Sequence, residues 1–173
     1  MKKTFLILGL ILIITITKTS EKVIIPDEAI RFRVIANSNS NLDQTNKKKI
    51  AKKLSTNIST VLKNSNSIDD ARIKLKENIP TFKAVVSEEA KKENYDIDVD
   101  VNYGNNYFPE KHYKGVTYKE GNYESLVVKL GEGKGENFWC VLFPPLCLLE
   151  AEESDKDEVE YKSFIKEIID KYF

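Results

Sequence analysis

The chain has 173 residues, enough for one domain with a sizeable core, and no internal repeat is visible. Lysines plus arginines number 27 and aspartates plus glutamates 27, so bulk charge points to neither nucleic acid nor an acidic substrate. A single histidine and two cysteines leave few nitrogen or sulfur ligands for a zinc centre.

Met1-Lys2-Lys3 precedes an apolar run from Phe5 to Ile16. A basic start and about a dozen apolar residues match a secretory signal, whereas a spanning helix wants roughly 20. The run breaks at Lys18, and no A-x-A-like cleavage site follows, so an uncleaved anchor stays open. Residues 1–20 are therefore expected to be a signal peptide or N-terminal anchor, and residues 21–29 a linker. Residues 30–173 are expected to form a single α+β domain, a mainly antiparallel sheet with helices packed on it.

Ile30, Phe32 and Val34 share one face of a first strand, with Arg31 and Arg33 on its exposed side. The turn Asn37 to Asn41 leads into a helix, with Ser40 and Asp43 resembling a capping box. Leu42, Ile50, Leu54, Ile58, Val61 and Leu62 follow at helical spacing. Ser67 caps a second helix over Ile68 to Asn78, and Pro80 opens a third with Phe82, Val85, Val86 and Ala90 as its stripe. Asp96, Asp98 and Asp100 alternate with Ile97, Val99 and Val101, which reads as the wet face of a strand. A calcium loop would need Gly and Glu where Val101 and Tyr107 stand.

Val116–Tyr118 and Tyr123–Leu130 flank a predicted hairpin turn at residues 119–122. Leu126, Val128 and Leu130 alternate as a half-buried strand, and Phe138 to Phe143 is apolar on both faces, as in a central strand. Trp139 lies within it. The intervening GEGKGEN predicts a hairpin, closed off at Pro144-Pro145, where proline has no N–H for a ladder. The same glycines miss both phosphate-binding patterns: the third comes one residue early for G-x-G-x-x-G, and Lys134 is followed by Gly135 rather than Ser or Thr. Val159 to Tyr172 forms a last amphipathic helix behind an acidic run.

His112 is the only partner available for a cysteine nucleophile, with Cys140 or Cys147. No nucleophile or metal motif surrounds them, although a pair of carboxylates brought together by the fold leaves no pattern in a sequence. Cys140 and Cys147 are either a buried thiol pair or a disulfide, and both options stay open.

The blocks IPDEAIRFRVIANSNSNLDQTNKKKI and FPEKHYKGVTYKEGNYESLVVKLGEGKGENFWCVLFPPLC, behind an export signal, resemble the stage II sporulation protein R family of endospore-forming bacteria. The resemblance covers most of residues 24–149, including Arg31, Arg33, Asn37, Ser38, Asp43 and Gln44 in the first block. Gly131, Gly133, Gly135, Trp139, Cys140 and Cys147 fall in the second. It implies a signalling protein exported into the space between forespore and mother-cell membranes. There it would bind and activate a membrane-embedded aspartic protease, the sigma-E-processing peptidase, through a population shift. It implies no catalysis, no cofactor and no nucleic acid, and it designates no contact residues. From the residues themselves, the partner-binding candidates are Glu132, Lys134 and Glu136 on the glycine loop, then Arg31 and Arg33. The rival readings are an exported cell-wall hydrolase using Cys140 and His112 or a carboxylate pair, and an anchored structural protein.

Overall fold

The computed structural model describes residues 23–113, 116–146 and 158–173. The expected signal or anchor over residues 1–20 lies outside them. Among the described residues no helix is long and apolar enough to cross a membrane.

The elements run β1 (Val23–Ile24), β2 (Ile30–Ile35), α1 (Asn41–Leu62), α2 (Ile68–Glu77), α3 (Ile79–Lys92), β3 (Val99–Phe108), β4 (Lys111–Tyr113), β5 (Val116–Tyr118), β6 (Gly121–Leu130), β7 (Asn137–Phe143) and α4 (Glu158–Tyr172). The chain is α+β, as its patterning predicts. The helix starts are set by the anticipated chemistry. Ser40 Oγ accepts from Asp43 N, Ser67 Oγ accepts from Asp70 N, and Pro80 sits in the first turn of α3. Leu42, expected on the inner stripe of α1, is 66% exposed instead.

β3, β6, β2 and β7 form a four-stranded sheet in that order, and β1, β5 and β4 form a three-stranded one. β3 and β7 run antiparallel to their neighbours, but β2 lies parallel to β6, and β1 parallel to β5. The sheets are therefore mixed. Neither expected hairpin exists. β2 enters between β6 and β7, so GEGKGEN bridges two strands that do not touch, and β7 is an edge strand rather than a central one. At residues 119–122 the chain passes from one sheet to the other, and Gly121 and Asn122 already belong to β6. Alternation assigns side chains to faces but says nothing about which strand is the neighbour.

One sheet face carries Phe32, Val34, Leu126, Val128, Leu130, Cys140 and Leu142, and it packs against Ile50, Leu54, Ile58, Leu75, Phe82 and Val86 of the three central helices. A second cluster joins Val23, Ile25 and Ala29 to Val116, Val141, Leu146, Ile165 and Ile168. It ties the expected linker and the C-terminal helix into the body: Ile25 and Ala29 have no exposed surface, and Tyr172 packs edge-on to Phe143.

Candidate functional site

β2 ends at Ile35 with a strand on either side, so the β6–β7 connection must cross over its end, a span of roughly 10 Å. That crossing explains the loop's length and its contacts. Lys134 N donates to Asn37 O at 3.0 Å, Gly135 N to Ala36 O at 2.9 Å, Glu132 N to Asn37 Oδ1 at 3.0 Å and Glu136 N to Asn39 Oδ1 at 2.7 Å. The glycines are each required by this docking. Gly131 and Gly133 have φ of 55° and 65°, and a Cβ on Gly135 would lie 2.2 Å from Ser38 O.

Beneath the crossing lies Asp43, 6% exposed. Its Oδ2 accepts from Ser38 Oγ at 2.5 Å and from Asn37 Nδ2 at 3.0 Å, and its Oδ1 accepts from Tyr95 OH at 2.6 Å. The Ser38 and Tyr95 bonds outweigh the opposing effect of burial and hold its pKa down at about 2, with Asn37 and Ser40 helping. Burial and the same bond push the Tyr95 phenol up, so Tyr95 stays a donor. The capping-box reading of Ser40 and Asp43 is half right. Asp43 N takes the cap, but the carboxylate turns to Ser38, Asn37 and Tyr95.

The partner-binding candidates on this loop separate into two kinds. Glu132 and Lys134 pair at 2.8 Å with side chains 67% and 75% exposed, and each holds the other's charge in place, lowering the Glu132 pKa and raising that of Lys134. Glu136 is bound through its backbone, whose carbonyl accepts from Lys47 Nζ at 3.0 Å. Lys47 is itself 4% exposed, and burial lowers its pKa.

Arg31 and Arg33 are not on an exposed face. Arg31 is 2% exposed, because the sheet face away from α1, α2 and α3 holds a second layer of aromatic rings. The Arg31 guanidinium carbon stands 3.2 Å from the Tyr123 ring centroid, and that of Arg33 stands 5.0 Å and 5.6 Å from those of Phe108 and Trp139. Phe108 meets Trp139 edge-on at 5.0 Å. Arg31 Nη1 donates to Lys119 O at 3.4 Å and Arg33 Nη1 to Tyr107 O at 3.3 Å. Burial lowers the pKa of both. The sequence did carry a signal for this layer: Phe108, Tyr123 and Trp139 sit on the strand parity opposite the helix-packed face.

His112 and Cys140 are not brought together. His112 lies exposed on β4, its ring nitrogens 3.1 Å from Thr117 Oγ1 and Glu110 Oε1. Cys140 is buried on the helix-packed face of β7 and is disulfide-bonded, so it offers no thiolate. Cys147, the only other cysteine in the sequence, lies outside the described residues. Asp43 is held by neutral donors, and Glu124 by Arg72 Nε at 2.8 Å and Tyr103 OH at 2.7 Å, so each of these two carboxylates serves as a structural acceptor. Asp96, Asp98 and Asp100 are exposed, as expected, although only Asp100 lies in β3, which begins at Val99; among the described residues no group of three metal-ligating side chains forms.

Fold and site together define a small α+β protein whose distinctive residues lock two polar loops and stack two arginines between rings. The family model described as stage II sporulation protein R matches residues 26–153. Stage II sporulation protein R of Bacillus subtilis (strain 168) is 40% identical over 131 residues, 76% of this chain and 58% of the relative. The chain belongs to the stage II sporulation protein R family. It thus aligns with 58% of that relative's length. No solved structure matches it.

Proposed function

We propose that this chain is an exported sporulation signal that binds a membrane-embedded aspartic protease and activates it, so that pro-sigma-E is processed in the mother cell. The match to the stage II sporulation protein R family across residues 26–153 carries the reading. Two observations support it. The N-terminal Lys2-Lys3 and apolar run suit export, and a disulfide at Cys140 belongs to an oxidising compartment outside the cytosol. Activation by binding requires that the chain favour the protease's active arrangement over its inactive one. About 5.5 kcal/mol of differential affinity moves such an equilibrium from 1:99 to 99:1 (about 10⁴-fold). The test is reconstitution of the chain with the peptidase and its pro-sigma substrate. Processing that appears only with the chain present is the expected result, and processing that is equal without it refutes the reading.

A further inference from the structure

Arg31 carries five N–H donors on a planar fork; Nη1 donates to Lys119 O, and the Tyr123 side chain is close enough to contribute a further hydrogen-bonding interaction to the guanidinium. Nε and Nη2 have no partner and no solvent contact. Those two nitrogens form the side edge of the guanidinium, whose parallel N–H bonds match the two oxygens of a carboxylate. Two residues along β2, roughly 7 Å away, Arg33 Nε is also buried and without a partner.

Among the described residues none of the ion pairs involves either arginine. The Tyr123 and Phe108 rings offset part of the desolvation through their negative faces, but they do not take up the free N–H bonds. A buried guanidinium left with an unsatisfied edge is costly, and an arriving anion removes that cost.

We propose that Arg31 and Arg33, walled by Phe108, Tyr123 and Trp139, form a carboxylate-binding site for an acidic side chain or chain terminus of a protein laid against this face. The donors determine the class. Four free N–H bonds on three nitrogens, between flat aromatic walls, suit a planar, singly charged group. A phosphate would turn further oxygens toward ring faces, which carry no donor. Lys111, with Nζ 5.6 Å from the Trp139 centroid, adds positive charge at the rim and draws acidic groups inward. Entry requires the exposed Lys119–Glu120 connection to give way over Arg31. The site rests on the proposed partner role only for which protein supplies the carboxylate, because binding is read on this chain alone.

The experiment is ¹⁵N NMR of the arginine Nε–H groups in the full chain, assigned with Arg31→Lys and Arg33→Lys. Titration with acetate should shift both signals saturably. N-acetylglycine represents a chain terminus and N-acetyl-aspartyl amide a side chain, and the tighter of the two names the source. Arg31→Lys keeps the charge but loses the fork, so its affinity should fall at least about tenfold. If that variant does not fold, Arg33→Lys carries the same comparison. Absence of any saturable shift overturns the proposal, as does tighter binding of inorganic phosphate than of acetate. So does a response that appears only in Asp27→Asn, because Asp27, whose charge acts on Arg31, would then be the occupant.

Discussion

Gly135 and Ser38 meet backbone to backbone: any Cβ at 135 would stand 2.2 Å from the Ser38 carbonyl oxygen. The contact joins the β6–β7 loop to the turn after β2 and fixes how the loop crosses the strand. Gly135→Ala should therefore cost roughly 2–3 kcal/mol, since a carbonyl cannot swing aside as a side chain can. Gly104→Ala is the control, because its nearest neighbour would lie at 3.7 Å, and it should stay within about 0.5 kcal/mol. Urea unfolding of the two variants checks the difference.

Asp43 predicts an acid limb to the stability curve. Its pKa is depressed in the folded chain, from 3.8 to about 2, so its contribution is present above the unfolded value and is lost as pH falls through the folded one. The contribution amounts to about 2 kcal/mol at neutral pH, and it disappears between about pH 4 and pH 2. Asp43→Asn should be less stable by a similar amount at pH 7, because an amide NH₂ would face the Ser38, Asn37 or Tyr95 donors. Its stability should also change less between pH 5 and pH 2 than that of the wild type. Denaturant midpoints measured across that range test the sign.

Trp139 lies on the aromatic face, half-buried against Phe108 and Arg33, and not in a core sealed on both sides. Trp139→Ala should cost about 2 kcal/mol, short of the roughly 3–5 kcal/mol of a fully enclosed aromatic. It should also unwall Arg33. A denaturation midpoint identical to wild type would show that the indole does not pack in solution.

The loop charges separate folding from partner binding. Replacing Glu132, Lys134 and Glu136 by Ala while keeping the glycines should leave the melting temperature within about 2 °C, because the Glu132–Lys134 pair is exposed and Glu136 bonds through its backbone. If these side chains meet the protease, pro-sigma processing falls although the fold is intact. Unimpaired processing removes the loop from the binding face.

Export has its own measurement. Residues 1–28 fused to a reporter active only outside the cytoplasm should give an active reporter. A stable but silent fusion counts against export.

Local chemistry was legible in the sequence, and partnership between distant segments was not. Ser40, Ser67 and Pro80 mark helix starts because caps act within one turn, and the structure places all three as read. Ile30, Phe32 and Val34 reveal the core face of β2 because side chains alternate along any strand. Arg31 shows the limit of that logic, since the opposite face meets Tyr123 and Phe108 rather than water. The glycine loop shows another. A seven-residue, glycine-rich connection between two strands reads as a hairpin until the strand between them, drawn from about a hundred residues earlier, is known. Likewise Tyr95, the donor to Asp43 from 52 residues away, leaves no trace near the Ser40 cap.

The insertion of β2 between β6 and β7 also sets an order of events. A chain that crosses a membrane N-terminus first delivers β2 early, yet both neighbours of that strand arrive at its far end, up to Phe143. Until then Phe32 and Val34 have no sheet to join, and α1, α2 and α3 have nothing to cover. Native pairing of β2 therefore waits for late-arriving chain, and sequence separations of this size slow the search for the native arrangement. If the chain is exported as proposed, this late pairing would leave it threadable until most of it has passed.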